Sequence, residues 1–105
     1  MSGKLFIVGT PIGNLGDMSE RAVNTLREVD FIAAEDTRVS LKLLNYLGIK
    51  KSLVSYYEHN KAFKGDKIVE RILAGETCAL VSDAGSPAIS DPGEDLVKQC
   101  AAAGI

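Results

Sequence analysis

The loop that begins at Asp83 carries the residue types best suited to bind a ligand. It follows the apolar run Ala79–Val81 and consists mainly of small residues, which allow a ligand to approach the backbone closely. Asp91, Pro92 and Glu94 then have the spacing of a capped helix start. The pattern predicts a strand, a small-residue loop and a helix, and open α/β sheets bind ligands at loops of this kind.

A second candidate cluster is Glu35-Asp36-Thr37-Arg38, which follows the apolar run 31–34. Two carboxylates and a guanidinium at the end of a strand can bind a polar substrate or take part in proton transfer. The same residues can instead form a helix start, with Asp36 or Thr37 as its first residue and a charge pair three residues apart. The sequence leaves both interpretations open.

The third cluster follows the first apolar run and comprises residues 9–14, Gly-Thr-Pro-Ile-Gly-Asn. It lacks the G-x-G-x-x-G spacing of dinucleotide-binding loops and the Gly-Lys-Ser/Thr of a P-loop, so a plain turn stays open beside ligand binding. His59, the only histidine, follows the predicted third strand and falls at the same edge of the sheet. It can act in catalysis, or it can be a solvated or capping residue.

The chain alternates predicted strands with predicted helices, which indicates an α/β domain with a mostly parallel sheet and helices on both faces. The predicted strands are 5–8, 31–34, 53–57 and 77–81. Apolar stripes define the four helices: residues 22, 23, 26 and 29, then 40, 43, 44 and 47, then 68, 69, 72 and 73, and finally 96, 97, 100 and 101. We expect Asp17 to cap the first helix with Glu20 as its reciprocal partner, and Gly48 to end the second.

The composition is that of an ordinary globular domain, with a net charge of −2 and a pI near 5.3, and this bulk charge gives no support for nucleic-acid binding. The apolar runs are too short to span a membrane and no signal peptide is recognisable, so we expect a cytoplasmic protein. Cys78 and Cys100 lack metal or disulfide spacing and are predicted to be buried, and no metal site is expected. Lysines 50, 51, 61, 64 and 67 form either a solvated face or an RNA contact.

Four segments together resemble the tetrapyrrole methylase superfamily, and within it the ribosomal RNA small subunit methyltransferase I branch. They are LFIVGTPIGNLG from Leu5, FIAAEDTR from Phe31, YEHN from Tyr57 and VSDAGSPAISDPG from Val81. The similarity runs in order along the whole chain, and the combination of the four motifs is what makes it specific. It implies the amino-terminal domain of the tetrapyrrole methylase (class III methyltransferase) fold.

The resemblance also implies a function. Members of the family use S-adenosylmethionine, and this branch resembles enzymes that methylate the ribose 2′-hydroxyl of a cytidine in 16S ribosomal RNA within the small ribosomal subunit. By motif match, one group of residues would line the cofactor cleft: Gly9, Thr10, Pro11, Asp83, Gly85, Ser86, Pro87 and Ala88. Glu35, Asp36 and Arg38 would face the substrate as catalytic residues. A proton must leave the acceptor, and Asp36, Glu35 or His59 could take it.

Residues 1–105 would then be one amino-terminal α/β domain that contributes half of the cofactor cleft, with the carboxy-terminal domain absent. Such a fragment is expected to fold, to be inactive by itself and, because it lacks a neighbouring strand, to expose apolar surface and form a homo-oligomer. Two other functions stay open: methylation of a tetrapyrrole carbon, and ligand binding without catalysis.

Overall fold

The computed structural model describes residues 3–9, 16, 18–57, 60–82 and 91–105 as an alternation of strands and helices. The strands are β1 (Leu5–Gly9), β2 (Phe31–Ala34), β3 (Ser52–Ser55) and β4 (Cys78–Ser82). The helices are α1 (Glu20–Glu28), α2 (Thr37–Leu47), α3 (Lys61–Leu73) and α4 (Asp91–Ala102). Among these helices, none combines the length and the apolar character needed to cross a bilayer.

The four strands form one parallel sheet in the order β1-β4-β2-β3. β4 lies between β1 and β2, and Cys78 pairs in register with Leu5 on one side and with Phe31 on the other. β2 also pairs with β3, and Phe31 is level with Ser52. Because both of its faces are covered, β2 is fully buried. The continuous apolar run 5–8 predicts the same for β1, but that prediction is wrong: β1 is an edge strand, and its Phe6 and Ile7 are exposed. The predicted α/β class and parallel sheet are therefore confirmed.

Two apolar cores lie on opposite faces of the sheet. On the first face, α1 and α2 pack Leu26, Leu43 and Leu44 against alternate strand residues. On the second face, α3 and α4 pack side chains that include Ile72 and Leu96 against the other set. The strand residues divide between the cores by alternation, as the pleat of a strand requires. Helices cover both faces, as predicted.

The helix ends confirm two sequence predictions and correct two. Asp36 is the N-cap of α2, and Gly48 ends this helix in the left-handed conformation at φ 70°. The N-cap of α1, however, is Ser19, whose hydroxyl accepts a hydrogen bond from the Ala22 N–H at 3.1 Å. The prediction of an Asp17–Glu20 capping box was therefore wrong, because Glu20 is already the first helical residue. In α4, the helix itself begins at the predicted cap, Asp91, a one-residue difference of the usual size.

Other predicted boundaries and faces shift slightly. β3 spans Ser52–Ser55, but the Tyr56 N–H still donates to the Ala34 carbonyl at 2.9 Å, and Tyr56 is fully buried. Leu73 was predicted on the apolar stripe of α3, yet it is 46% exposed, whereas its neighbour Ile72 is fully buried. Ala101 is likewise exposed, whereas Cys100 is buried as predicted.

A polar cluster connects the amino ends of β2 and β4, at the edge of the sheet that is opposite the candidate site. Asp30 accepts hydrogen bonds from the backbone N–H and the hydroxyl of Thr77 at 2.7 and 3.1 Å. Arg71 pairs with Glu76 through two hydrogen bonds of 2.8 Å and stacks on the Phe31 ring, 3.7 Å from its centroid. The hydrogen bonds from Thr77 lower the pKa of Asp30, and the hydrogen bond from Arg71 lowers the pKa of Glu76.

Candidate functional site

The candidate site lies at the carboxyl edge of the parallel sheet. Gly9 at the end of β1 is level with Ser82 at the end of β4, and Ala34 at the end of β2 is level with Ser55 at the end of β3. All strands run in the same direction, so the segments that follow them emerge at one edge. The three clusters predicted from the sequence therefore begin at neighbouring positions.

The order of the strands places a topological switch point at this edge. β1 and β2 both lead into helices on the first face, whereas β4, which lies between them, leads into α4 on the second face. The connections after neighbouring strands thus separate to opposite sides of the sheet. Crevices at such points are where open α/β sheets bind ligands.

Gly9 is the one predicted cofactor residue within the described ranges. It is exposed, and a Cβ built on it would meet no atom of the described residues within 4 Å, its chain neighbours apart. The backbone at the end of β1 is therefore open to a ligand, which fits a group bound through main-chain contacts. The other predicted cofactor residues lie outside the described residues: Thr10, Pro11, Asp83, Gly85, Ser86, Pro87 and Ala88.

The three predicted catalytic residues lie together between β2 and α2. Asp36 accepts hydrogen bonds through Oδ1 from the backbone N–H groups of Arg38 and Val39, at 3.0 and 3.3 Å. Its carboxylate therefore satisfies two N–H groups that the helix itself leaves unpaired. Glu35 precedes the cap and is half-buried, and it makes no side-chain hydrogen bond or ion pair with the described residues.

The charge pair that the sequence allowed between Glu35 and Arg38 is not among the ion pairs of the described residues. Arg38 is exposed on the first turn of α2. Of the two interpretations of this cluster, the helix start is confirmed through the Asp36 cap. The guanidinium remains available to an anionic ligand.

Asn60 is a structural residue of this edge that the sequence interpretation did not single out. Its side-chain oxygen accepts from the Tyr57 N–H at 2.7 Å, and its amide donates to the Ser55 carbonyl at 3.0 Å. It thereby joins the start of α3 to the residues at the end of β3. His59, a candidate base in the sequence, lies outside the described residues. The only available signal was its position just before a helix, where Asn is favoured.

An ion pair joins the starts of α3 and α4 beside the same edge. The Lys61 ammonium contacts the Asp95 carboxylate, and this hydrogen bond lowers the pKa of Asp95. Asp95 lies one turn into the helix that follows the Asp83 loop. The pair therefore joins α4 to α3 across 34 residues of sequence.

The two thiols lie within the second core rather than at the site. Cys78 and Cys100 are buried, and burial raises the pKa of Cys78 to about 12 and also raises that of Cys100. Neither thiol is poised as a nucleophile, since the reactive form is the thiolate. Within the described ranges, no three potential metal ligands lie close together.

Comparison with known proteins identifies the family. The model of the tetrapyrrole (corrin/porphyrin) methylases matches residues 4–105. The chain belongs to the tetrapyrrole methylase family. The edge at Gly9 and Glu35 is thus the carboxyl edge of a tetrapyrrole methylase domain.

Relatives within this family are similar along almost the whole chain. The ribosomal RNA small subunit methyltransferase I of Halalkalibacterium halodurans is 55% identical over 103 residues, which are 98% of this chain and 36% of that protein. The protein of the same name from Bacillus subtilis strain 168 is 57% identical over 96 residues, 91% of this chain and 33% of the relative. The chain thus spans about a third of the length of these relatives.

A solved structure agrees with the family fold. A diphthine synthase superposes with a TM-score of 0.74 at 18% identity, over 98% of this chain and 41% of that protein. At this identity the likeness concerns the fold only. It confirms the predicted tetrapyrrole methylase fold.

Proposed function

We propose that this chain is the amino-terminal domain of a methyltransferase that transfers a methyl group to the ribose 2′-hydroxyl of a cytidine in 16S ribosomal RNA of the small ribosomal subunit. The observation that carries this proposal is the identity of 55% across 98% of the chain with a relative named ribosomal RNA small subunit methyltransferase I. Such an enzyme acts in the cytoplasm, where ribosomal subunits are assembled.

Methyltransferases of the tetrapyrrole methylase family use S-adenosylmethionine. The cofactor supplies a methyl group on a sulfonium, whose leaving group is neutral. We propose that Gly9, Thr10 and Pro11 line one side of the cofactor site. The loop after β4 would line the other side through Asp83, Gly85, Ser86, Pro87 and Ala88. The exposure of Gly9 supports this assignment, since no other residue of the described ranges, its chain neighbours apart, lies within 4 Å of the position of a Cβ there.

If this chain is part of a longer protein, the handedness of its connections indicates where the next strand would join the sheet. α1 connects β1 to β2 over the first face, and α3 returns from β3 to β4 over the second face, so both crossovers have the same hand. A further strand after α4, which lies on the second face, would have to lie beyond β1 to keep that hand. The outer edge of β1 fits such a strand, because Phe6 and Ile7 are 39% and 41% exposed there.

Among the candidate bases we favour Glu35. The Asp36 carboxylate is held as the cap of α2 by hydrogen bonds from two backbone N–H groups, which fixes it in a structural position. Glu35 is adjacent, and its side chain is not held by the described residues. Arg38 would bind phosphate of the RNA as a planar donor fork.

A methyl-transfer assay on a chimera tests the proposed function. In the chimera, this chain replaces the matching amino-terminal segment of the Bacillus subtilis relative. The substrates are 30S subunits from a strain that lacks the endogenous enzyme, with radiolabelled S-adenosylmethionine as donor. We expect label in 16S ribosomal RNA at a rate comparable to that of the unaltered relative.

Two controls separate the alternatives. Precorrin substrates replace the subunits in one arm, and the 105-residue chain replaces the chimera in the other. Transfer to precorrins but not to RNA would contradict the proposal. Transfer to RNA by the isolated chain at the chimera's rate would contradict its assignment as half of the catalytic unit.

A further inference from the structure

The outward face of α2 carries positive charge without any acidic residue. Arg38, Lys42, Asn45 and Tyr46 follow one another at helical spacing and are all exposed. Along α2, the only charged residues are Arg38 and Lys42, although the chain as a whole has a net charge of −2. We call the surface formed by Arg38, Leu41, Lys42, Asn45 and Tyr46 the α2 face.

This arrangement of charge does not favour the helix itself. Arg38 and Lys42 are like charges four residues apart, which destabilise a helix by a few tenths of a kcal/mol. Arg38 also lies in the first turn, where the helix dipole disfavours a cation, and the acidic group at this helix end is the cap, Asp36, since the first turn itself has none. By contrast, α1 places Glu20 in its first turn and Arg27 in its last. The charges of α2 are therefore better explained by an external anion than by helix stability.

Large side chains alternate with the charges on the α2 face. Tyr46 is 61% exposed and Leu41 is 50% exposed. Exposed aromatic rings beside cationic groups are what proteins use to bind single-stranded nucleic acid, because bases stack on the ring while cations contact the phosphates. The face extends for about 16 Å along the 11-residue helix.

The other helix with exposed basic and aromatic residues has a different pattern. On α3, Phe63 is 65% exposed and Lys67 lies over its ring, 4.9 Å from the centroid. Asp66 and Glu70 occupy the same side of that helix and are exposed. The carboxylates of Asp66 and Glu70 offset the charge of Lys67, so this side of α3 offers a phosphate chain little attraction.

We propose that the α2 face binds a single-stranded segment of the RNA substrate and leads it to the carboxyl edge of the sheet. This inference rests on the proposed function, because it takes RNA as the substrate. The geometry that supports it is the position of Arg38, which belongs both to the α2 face and to the Glu35–Arg38 cluster at the edge. Lys42 and Tyr46 then lie progressively farther from that edge along the helix.

The test measures RNA binding by the 105-residue chain, with a fluorescein-labelled single-stranded oligoribonucleotide of mixed sequence as the probe. Fluorescence anisotropy gives Kd at several salt concentrations. Tyr46→Ala should weaken binding by about 5- to 100-fold, through loss of base stacking. Lys42→Ala should make the salt dependence shallower, by about 0.7 in the slope of log K against log salt.

Lys67→Ala on α3 is the matched control, since it removes the same charge from another exposed helix. The affinity of Lys67→Ala for the RNA should stay within about twofold of that of the wild type, because this variant changes only the net charge of the chain. Circular dichroism confirms that each variant retains its helices. Equal effects of Lys42→Ala and Lys67→Ala, or an unchanged affinity in Tyr46→Ala, would overturn the proposal.

NMR shift mapping gives a second readout that needs no variant. RNA should perturb the amides of α2 more than those of α3, and the reverse would overturn the inference.

The α2 face would be a protein interface instead if the chain self-associates in a concentration-dependent way and Tyr46→Ala abolishes this association while the RNA affinity stays unchanged. If the chimera methylates 16S RNA with the same KM in its Lys42→Ala and Tyr46→Ala forms, this inference fails while the proposed function stands. If it does not methylate RNA, the proposed function fails by itself.

Discussion

Asp36→Ala should destabilise the protein, because the Asp36 carboxylate accepts hydrogen bonds from two backbone N–H groups at the start of α2. Loss of an N-cap side chain costs about 0.5–2 kcal/mol, typically about 1. In a domain of this size, 1 kcal/mol corresponds to a decrease in Tm of about 4–8 °C. Thermal unfolding followed by circular dichroism measures this decrease directly.

Asp36→Asn is the matched variant, since asparagine keeps an oxygen acceptor in the same place and caps helices about as well as aspartate. It should therefore retain most of the Tm that Asp36→Ala loses. In the chimera, the same pair separates the structural role from a catalytic one. If Asp36 only caps α2, Asp36→Asn should keep most of the methyl-transfer rate.

Two results would refute this reasoning. An Asp36→Ala protein with the Tm of wild type would show that the two hydrogen bonds do not contribute to stability. An Asp36→Asn protein that is fully stable but inactive, beside an active Glu35→Gln protein, would make Asp36 the base and would contradict our preference for Glu35.

Three further outcomes are expected. Hydrogen bonds from Thr77 lower the pKa of Asp30, so the stability that this carboxylate contributes is present above its ordinary pKa of 3.8 and is lost as the pH falls below it. The difference in urea midpoint between wild type and Asp30→Asn should therefore shrink on acidification. A difference that grows would contradict this. Cys78 and Cys100 should resist alkylation by iodoacetamide at mildly alkaline pH until urea unfolds the chain, because burial raises the pKa of both thiols. Alkylation of the folded protein would contradict this and would show that the core opens. Asp83→Ala should weaken S-adenosylmethionine binding by the chimera about ten- to a hundredfold, as loss of a charge-assisted hydrogen bond would, and unchanged affinity in calorimetry would rule out that role.

The sequence was sufficient to predict which segments form the sheet and which helix faces are buried. Phe31–Ala34 is a continuous apolar run that marks a strand and is fully buried, but the equally apolar run at 5–8 forms an exposed edge strand, so such a run predicts a strand and not its place in the sheet. Asp36 and Gly48 were predictable helix ends because side-chain capping and a positive φ each favour a small set of residue types. The α1 cap was missed because Asp17 and Ser19 are both good caps, and local propensity does not choose between them.

Other features depend on contacts between distant residues. Strand order could not be derived, since the apolar period of β1 or β4 does not specify its neighbour. The ion pair between Lys61 and Asp95 joins residues 34 positions apart, and no local pattern marks it. At the candidate site, the residue types of the Glu35–Arg38 cluster suggested chemistry, but only the geometry distinguishes the capping carboxylate from its neighbour.

Identification of the methylated nucleoside tests the central claim most directly. After the chimera has reacted with 30S subunits, 16S ribosomal RNA is digested to nucleosides and analysed by mass spectrometry against synthetic standards. The account predicts 2′-O-methylcytidine, in an amount that requires both the chimera and S-adenosylmethionine. A methyl group on a base, on another nucleoside or on no RNA at all, with an unaltered relative active in parallel, would contradict it.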